Sequence, residues 1–162
     1  QGLIVKYVAE LADKGYEHDY IVKKIPAIIK NTTLYAAVMD LSYGVKGGRI
    51  PKSKKIISNL LRIRPVLNTT GDGSMGVAGI LFGLKNRTNK LVNLIAKKHD
   101  PNKAYTICVG HSDCFDEASQ FIERLKKKFS KVKNIDLLEL GCALGVHTGP
   151  GSIVIGVQEK IS

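Results

Sequence analysis

Residues 66–82 read VLNTTGDGSMGVAGILF, and this stretch decides the fold. Residues that favour strands run from Val66 to Thr70 and again from Ser74 to Phe82. Between them, Gly71-Asp72-Gly73 is typical of a tight turn. Two strands joined by so short a connection pair antiparallel, because parallel neighbours need a long crossover. The stretch therefore predicts an antiparallel hairpin.

Outward from the hairpin, helical and strand patterns alternate along the chain. Apolar spacing predicts helices near residues 3–15, 21–30 and 115–129, and capped helices beginning at Ser53 and Thr88. Further strands are predicted at Thr32–Met39, Tyr105–Val109, Ile135–Leu140 and Ile153–Val157. Interleaved elements with one antiparallel pair predict an α/β fold, a layered domain with a mixed β-sheet flanked by helices.

Length and composition are those of a globular domain. The chain has 162 residues, of which 44% are hydrophobic and 24% charged, so it can bury a core. No apolar run approaches the roughly 18 residues that span a bilayer, so we expect no membrane span. The sequence begins with Gln1 rather than Met and enters a helical pattern at once, so we interpret it as a piece of a longer protein.

The positive charge is concentrated in the middle of the chain. The formal net charge is +11, and residues 41–99 hold 12 Lys and Arg but one acid, Asp72. Such a region attracts anionic partners. Nucleic acid is disfavoured, because aromatic residues are only 6% and no helix-turn-helix, RNP or zinc-finger pattern occurs. A solvated lysine-rich surface, a phosphorylated ligand and an acidic protein surface stay open.

The three cysteines indicate reduced thiols. Cys108, Cys114 and Cys142 are an odd number without framework spacing, which favours a cytoplasmic location. Cys108, His111 and Cys114 have the spacing of a metal site, but Cys108 falls in a predicted strand and no fourth ligand is suitably spaced. We expect no metal and no cofactor.

The strongest local signal is the stretch GCALGVHTGPGS at residues 141–152. We predict a Gly-rich connection between two strands. Gly149 and Gly151 around Pro150 permit a tight backbone path that comes close to a ligand. His147 precedes this turn and could donate a hydrogen bond to an anionic group such as a carboxylate. An incidental histidine in a structural loop is the alternative.

Two arginines are further candidates for anion binding. Arg49 follows Gly47-Gly48, which lets the backbone turn and aim the guanidinium. Arg87 stands at a predicted helix start. Either could equally be a solvated surface residue. No P-loop, GxSxG or HExxH motif occurs, and Gly71–Gly76 is no dinucleotide fingerprint because no helical pattern follows it.

Taken in order, these motifs resemble the C-terminal half of DegV-family proteins. The resemblance rests on Gly47–Ile50, Ile63–Leu67 leading to Asp72-Gly73, Arg87-Thr88, His111–Asp113, and the spacing of Gly145, His147 and Gly149–Gly151. It implies a bacterial, cytoplasmic two-domain protein without catalytic residues of its own. Such a protein binds a long-chain fatty acid and presents the carboxylate to a fatty acid kinase, which forms an acyl phosphate.

The resemblance also implies roles for residues and regions of this chain. His147, with Gly149 and Gly151, would contact the carboxylate end. Arg49 and Arg87 would line the exposed head-group face where the kinase docks. Residues 1–31 would be linking helices, and residues 32–162 the C-terminal lipid-binding domain, with the N-terminal domain absent.

A fatty acid tail needs a dry channel, for which six apolar residues are candidates: Ile28, Ile29, Val38, Leu60, Leu61 and Ile153. The expected partners are the fatty acid and the kinase, without nucleic acid, and with transient contact with a membrane surface left open. Two alternatives stay open as well. One is an enzyme domain that transfers phosphate on a small substrate, and the other is a basic module that binds nucleic acid or protein.

Overall fold

The computed structural model describes residues 1–50, 64–83, 85–132 and 134–160. The helices are α1 (Gly2–Asp13), α2 (His18–Lys30), α3 (Ser42–Lys46), α4 (Arg87–Lys98), α5 (Phe115–Lys128) and α6 (Cys142–Thr148). The strands are β1 (Thr32–Ala37), β2 (Arg64–Thr69), β3 (Met75–Leu81), β4 (Tyr105–Ser112), β5 (Ile135–Glu139) and β6 (Ser152–Glu159). The helix predicted to begin at Ser53 lies outside the described residues.

The six strands form one mixed sheet in the order β3-β2-β1-β6-β4-β5. Strands β4 and β5 pair parallel, and the other neighbours pair antiparallel. The predicted hairpin is confirmed, with Leu67 opposite Val77 across β2 and β3. In its turn, Asp72 accepts hydrogen bonds from the hydroxyls of Thr70 and Ser74, which lower the pKa of this carboxyl to about 2. The α/β fold with a mixed sheet is therefore as the sequence predicts.

The main core lies between one face of the sheet and helices α4 and α5. Alternate residues of β6, namely Ile153, Ile155 and Val157, point into it and are fully buried. Each such side chain contributes roughly 1.5–3 kcal/mol by leaving water. At one end of this core, four rings follow one another in edge-to-face contacts: Tyr35, His99, Tyr105 and Phe129.

The opposite face of the sheet carries two smaller apolar clusters. One consists of buried Ala36, Val38, Leu41 and Val154, with Leu34, Ile50, Leu67 and Leu140 packed against it, and we call it the second cluster. Helices α1 and α2 form the other cluster around Leu11 and Ile28. Leu3 of α1 also packs on the sheet at Gly156, where an added Cβ would lie 2.9 Å from Leu3 Cδ1.

Three local predictions are wrong. Residues 142–148 are helical rather than a strand connection. Helix α4 begins at Arg87 after Asn86, whose φ is +58°, so Thr88 is a buried first-turn residue and not the cap. Strand β4 continues three residues beyond Val109, because its last residues pair with β6 on one side and β5 on the other.

Candidate functional site

Most of the predicted site residues meet at one edge of the sheet. Strands β1, β4 and β5 end there and β6 begins there, as the pairing of Ala37 with Ile153 and of His111 with Glu139 shows. Because these strand ends lie side by side, the segments that follow or precede them converge. Helix α6 and the turn at Gly149–Gly151 therefore pack beside helix α3 and the Gly47-Gly48-Arg49 segment.

Helix α6 is defined by a glycine at each end. Gly141 occupies the N-cap position with extended backbone, and Gly149 ends the helix with φ +73°, a conformation that favours glycine. The amide of Gly149 donates to the carbonyl of Gly145 at 2.8 Å. The density of glycines in the sequence concealed this short helix, which carries His147 in its last turn.

His147 is seated on Gly47. An added Cβ at residue 47 would lie 2.0 Å from Nδ1 of His147, so only glycine leaves room for the ring. Nδ1 is buried and has no hydrogen-bond partner among the described residues. A buried polar nitrogen without a partner costs about 1–3 kcal/mol, so the arrangement is typical of a site that another group completes.

The turn after α6 is held from two sides. An added Cβ at Gly149 would lie 2.5 Å from the ring of Tyr43, and one at Gly151 would lie 3.1 Å from Cγ of Met39. The amide of Gly151 donates to the carbonyl of Ser112 at 2.6 Å. Both glycines thus permit close packing against the protein itself, and the structure fixes the position of the turn relative to β4.

Arg87 does not line an exposed face, and this prediction is wrong. Its side chain is buried and donates Nε and Nη2 to the two carboxylate oxygens of Glu117 at 2.7 and 2.6 Å. Nη2 also donates to the carbonyl of Gly151 at 2.9 Å. Arg87 thus links Glu117 to the turn at Gly151, and its Nη1 is buried without a hydrogen-bond partner among the described residues.

Arg49, by contrast, is exposed at the same edge as His147. Its Nη1 donates to the carbonyl of Gly47 at 3.4 Å, and the structure records no ion pair for it among the described residues. Since Gly47 also contacts the imidazole, the guanidinium and the ring are attached to one short segment. Arg49 is placed to meet an anionic group that reaches this edge.

Sequence reasoning gave no site role to His111, Glu117 or Tyr43. His111 is 8% exposed, packs edge-to-face on Phe115 and has a buried Nδ1 without a partner among the described residues. Its place in the His111–Asp113 motif was the available signal. Glu117 and Tyr43 gave none, because each matters through a residue far away in sequence.

The proposed channel residues do not line one common space. Ile28 belongs to the cluster of α1 and α2, Val38 to the second cluster, and Ile153 to the main core. Ile29 is 53% exposed. Leu60 and Leu61 lie outside the described residues. The apolar surface nearest His147 is instead the second cluster, whose member Ile50 packs on Gly44 beside the carbonyl of His147.

The thiols, the potential metal ligands and the helices add three observations. Burial raises the pKa of the Cys108 thiol and of the Cys114 thiol, which favours their protonated forms. Within the ranges that the structure describes, no group of three potential ligands is placed to hold a metal ion. None of the helices in those ranges has the length and apolar content needed to cross a membrane.

Comparison with known proteins gives consistent matches. The family described as "Uncharacterised protein, DegV family" matches residues 1–160. A DegV domain-containing protein of Clostridium acetobutylicum is 32% identical over 163 residues, covering 99% of this chain and 56% of the relative. One of Streptococcus pneumoniae is 30% identical, covering 96% and 54%. The chain thus spans little more than half the length of these curated relatives.

Solved structures share the fold. A fatty acid binding DegV family protein from Streptococcus agalactiae has a TM-score of 0.84 at 28% identity, covering 99% of this chain and 56% of that one. The Fatty Acid Kinase (Fak) B3 protein of Streptococcus pneumoniae, loaded with linoleic acid, has a TM-score of 0.83 at 22% identity, covering 98% and 55%. The family match over nearly all residues and the shared architecture show that this chain belongs to the DegV family.

Proposed function

We propose that the chain is the C-terminal, lipid-binding part of a two-domain cytoplasmic protein that holds a long-chain fatty acid. Residues 1–31 serve as linking helices and residues 32–162 form the lipid-binding domain. The protein presents the carboxylate to a fatty acid kinase, which transfers a phosphoryl group to it, and contributes no catalytic residue. Membership of the DegV family and the likeness to the fatty acid binding protein of Streptococcus agalactiae support this proposal.

The observation that carries the proposal is the environment of His147. Its Nδ1 is buried on Gly47 and lacks a partner among the described residues. The ring as a whole is only half-buried, so a carboxylate that reaches its open side would accept a hydrogen bond from the imidazole, and a charge-assisted hydrogen bond is about twice as strong as a neutral one. Gly149 and Gly151 contribute by fixing the turn after the imidazole, since both of their amides donate hydrogen bonds within the protein.

The tail would lie along the apolar surface beside His147. Four members of the second cluster are only partly buried: Leu34, Ile50, Leu67 and Leu140. Each methylene removed from water contributes roughly 0.8 kcal/mol, so about 14 methylenes give at most about 11 kcal/mol before the cost of ordering the chain. The tail should therefore dominate affinity, and His147 should set the direction in which the acid binds.

We assign contact with the kinase to Arg49. It is exposed beside the imidazole, in the stretch of the chain that carries the whole positive excess. A guanidinium suits both a carboxylate of the kinase and the phosphoryl group being transferred. Arg87 assists indirectly by holding the carbonyl of Gly151.

Organic extraction of the purified protein followed by mass spectrometry tests the proposal. A co-purified long-chain fatty acid is the expected result. A protein that carries no lipid and transfers or hydrolyses phosphate would favour the enzyme alternative instead. Tight, salt-sensitive binding of DNA or RNA by a lipid-free protein would favour the nucleic-acid module.

A further inference from the structure

Strand β3 is an open edge of the sheet. It lies at the end of the strand order, paired with β2 on one side, and no strand among the described residues pairs with its other side. An unpaired strand edge presents free amide and carbonyl groups to a further strand. At seven residues, β3 is long enough to bind an extended segment over several hydrogen bonds.

This edge has no charged residue or proline to oppose strand pairing, and its one irregularity is a register shift at Ala78, opposite Val66 and Leu67. Residues 75–81 read MGVAGIL, without proline, lysine or any charged residue. Val77 is 65% exposed, and Met75 and Ile80 are 49% and 43% exposed. These three side chains are carried on the sheet face opposite helix α4, so a strand added beside β3 would extend an apolar surface there.

The side of β3 that faces α4 is basic. A groove between strand and helix is lined by residues 78–82 and by Lys90, Lys97 and Lys98. Leu94 packs on Gly79, and Nζ of Lys90 donates to the carbonyl of Phe82, so the helix is fixed along the strand. Helix α4 contains no acidic residue, and Lys97 and Lys98 form no recorded ion pair among the described residues.

We propose that the outer edge of β3 binds an extended segment of a partner protein in which acidic and apolar residues alternate. In an added strand, successive side chains point to opposite faces. The apolar ones would continue the surface of Val77 and Ile80, and the acidic ones would meet Lys97 and Lys98. A second copy of this chain would place like charges together, which disfavours self-pairing through β3. The apolar side of this surface adjoins the second cluster, since Val77 pairs with Leu67, whereas the basic side along α4 lies on the other face of the sheet.

The probe for this surface is a fluorescein-labelled peptide of alternating glutamate and valine. We expect binding by fluorescence anisotropy that weakens with salt, and slower amide hydrogen exchange in residues 75–81. The same peptide with lysine in place of glutamate should not bind. A version with N-methyl groups on alternate amides should not bind either, because it cannot complete the strand pairing.

Charge reversal tests the role of the helix. The double variant Lys97→Glu/Lys98→Glu should bind the peptide about tenfold more weakly. The matched control, Lys127→Glu/Lys128→Glu in the last turn of α5, makes the same change in net charge away from β3 and should leave affinity unchanged. Equal losses in both variants would overturn the proposal. So would equal binding of the N-methylated peptide, stronger competition by a single-stranded oligonucleotide, or a dimer of the protein that the peptide dissociates.

Discussion

His147 occupies the space that a side chain at Gly47 would need, since Nδ1 lies 2.0 Å from the position of an added Cβ. The imidazole therefore occupies space left by the absence of a side chain at Gly47, directly after helix α3 and about 100 residues earlier in the sequence. A second glycine does the same for the other helix: Gly149, which follows α6, leaves room for the ring of Tyr43 on α3. The C-terminal ends of α3 and α6 thus pack closely, because the glycine after each helix leaves room for a ring of the other.

Gly47→Ala should displace the imidazole while leaving the fold intact. The colliding atoms are at the end of a side chain that can rotate, so we expect a loss of no more than about 1–3 kcal/mol in the free energy of unfolding. The affinity for oleate should fall about tenfold or more, because the carboxylate loses one charge-assisted hydrogen bond. Calorimetric titration with oleate and urea unfolding measure the two effects.

Gly141→Ala is the matched control for that change. It lies at the other end of α6, has no heavy atom within 4 Å of an added Cβ, and has a negative φ. Its oleate affinity should equal that of the wild type. If both variants bind oleate as the wild type does, His147 does not hold the carboxylate.

Substitutions of His147 and Arg49 should separate lipid binding from presentation. His147→Ala should impair phosphorylation of the carboxylate by the kinase while the tail still binds. Arg49→Ala should slow kinase-dependent turnover more than it weakens lipid binding, because its guanidinium is exposed at the edge. Acyl phosphate formation at the wild-type rate in both variants would contradict these assignments.

Loss of Glu117 should destabilise the protein far more than loss of a surface ion pair. Glu117→Ala leaves the buried Arg87 without its bidentate partner, which costs about 3 kcal/mol or more. Lys103→Ala removes a solvent-exposed pair with Glu159, and its effect on the free energy of unfolding should be much smaller. Urea unfolding of both variants provides the comparison, and equal losses would show that Arg87 does not depend on Glu117.

Stability should fall as the pH drops below neutrality because of His99. Burial lowers the pKa of His99 below 6.5, and its Nε2 lies 2.9 Å from the hydroxyl of Tyr35, whose pKa burial raises to about 12. The folded state therefore favours neutral His99. This contribution is complete above pH 6.5 and is lost as the pH falls through the lowered pKa.

His99→Gln should reduce the loss of stability between pH 7 and pH 5 in urea unfolding, because no charge then has to be buried on acidification. His18→Gln is the control, since His18 is a highly exposed histidine on α2. Its pH dependence should match that of the wild type. An unchanged pH dependence in His99→Gln would exclude this residue as the cause.

The parts of the fold that are set by residues close together in the sequence could be predicted. The Gly71-Asp72-Gly73 turn sets the β2–β3 hairpin locally, and β6 shows its buried apolar run. The strand order could not be predicted, because the position of β6 beside β1 depends on contacts across more than 100 residues. Helix α6 was missed because glycines, which usually interrupt helices, here mark its two ends.

For the candidate site too, the residues within one short stretch could be predicted, and those that depend on distant partners could not. His147, Gly149 and Gly151 stand in one short stretch, and its glycines and histidine were sufficient to single it out. Arg87 was misplaced, because the residues that neutralise it, Glu117 and Gly151, are 30 and 64 positions away. Whether an arginine is solvated or buried depends on such partners, which no local pattern reveals.

The central position of β6 has a consequence for synthesis on the ribosome. Strands β1, β2 and β3 lie on one side of it and β4 and β5 on the other, so the described strands of the two groups are hydrogen-bonded to each other only through the strand that is made after both. Strands β1 to β5 leave the ribosome before β6 does. Until β6 is made, the edges of β1 and β4 that it will pair with have no partner. A nascent chain halted before Ser152 would therefore expose the unpaired strand edges of two partial sheets to chaperones and to other nascent chains.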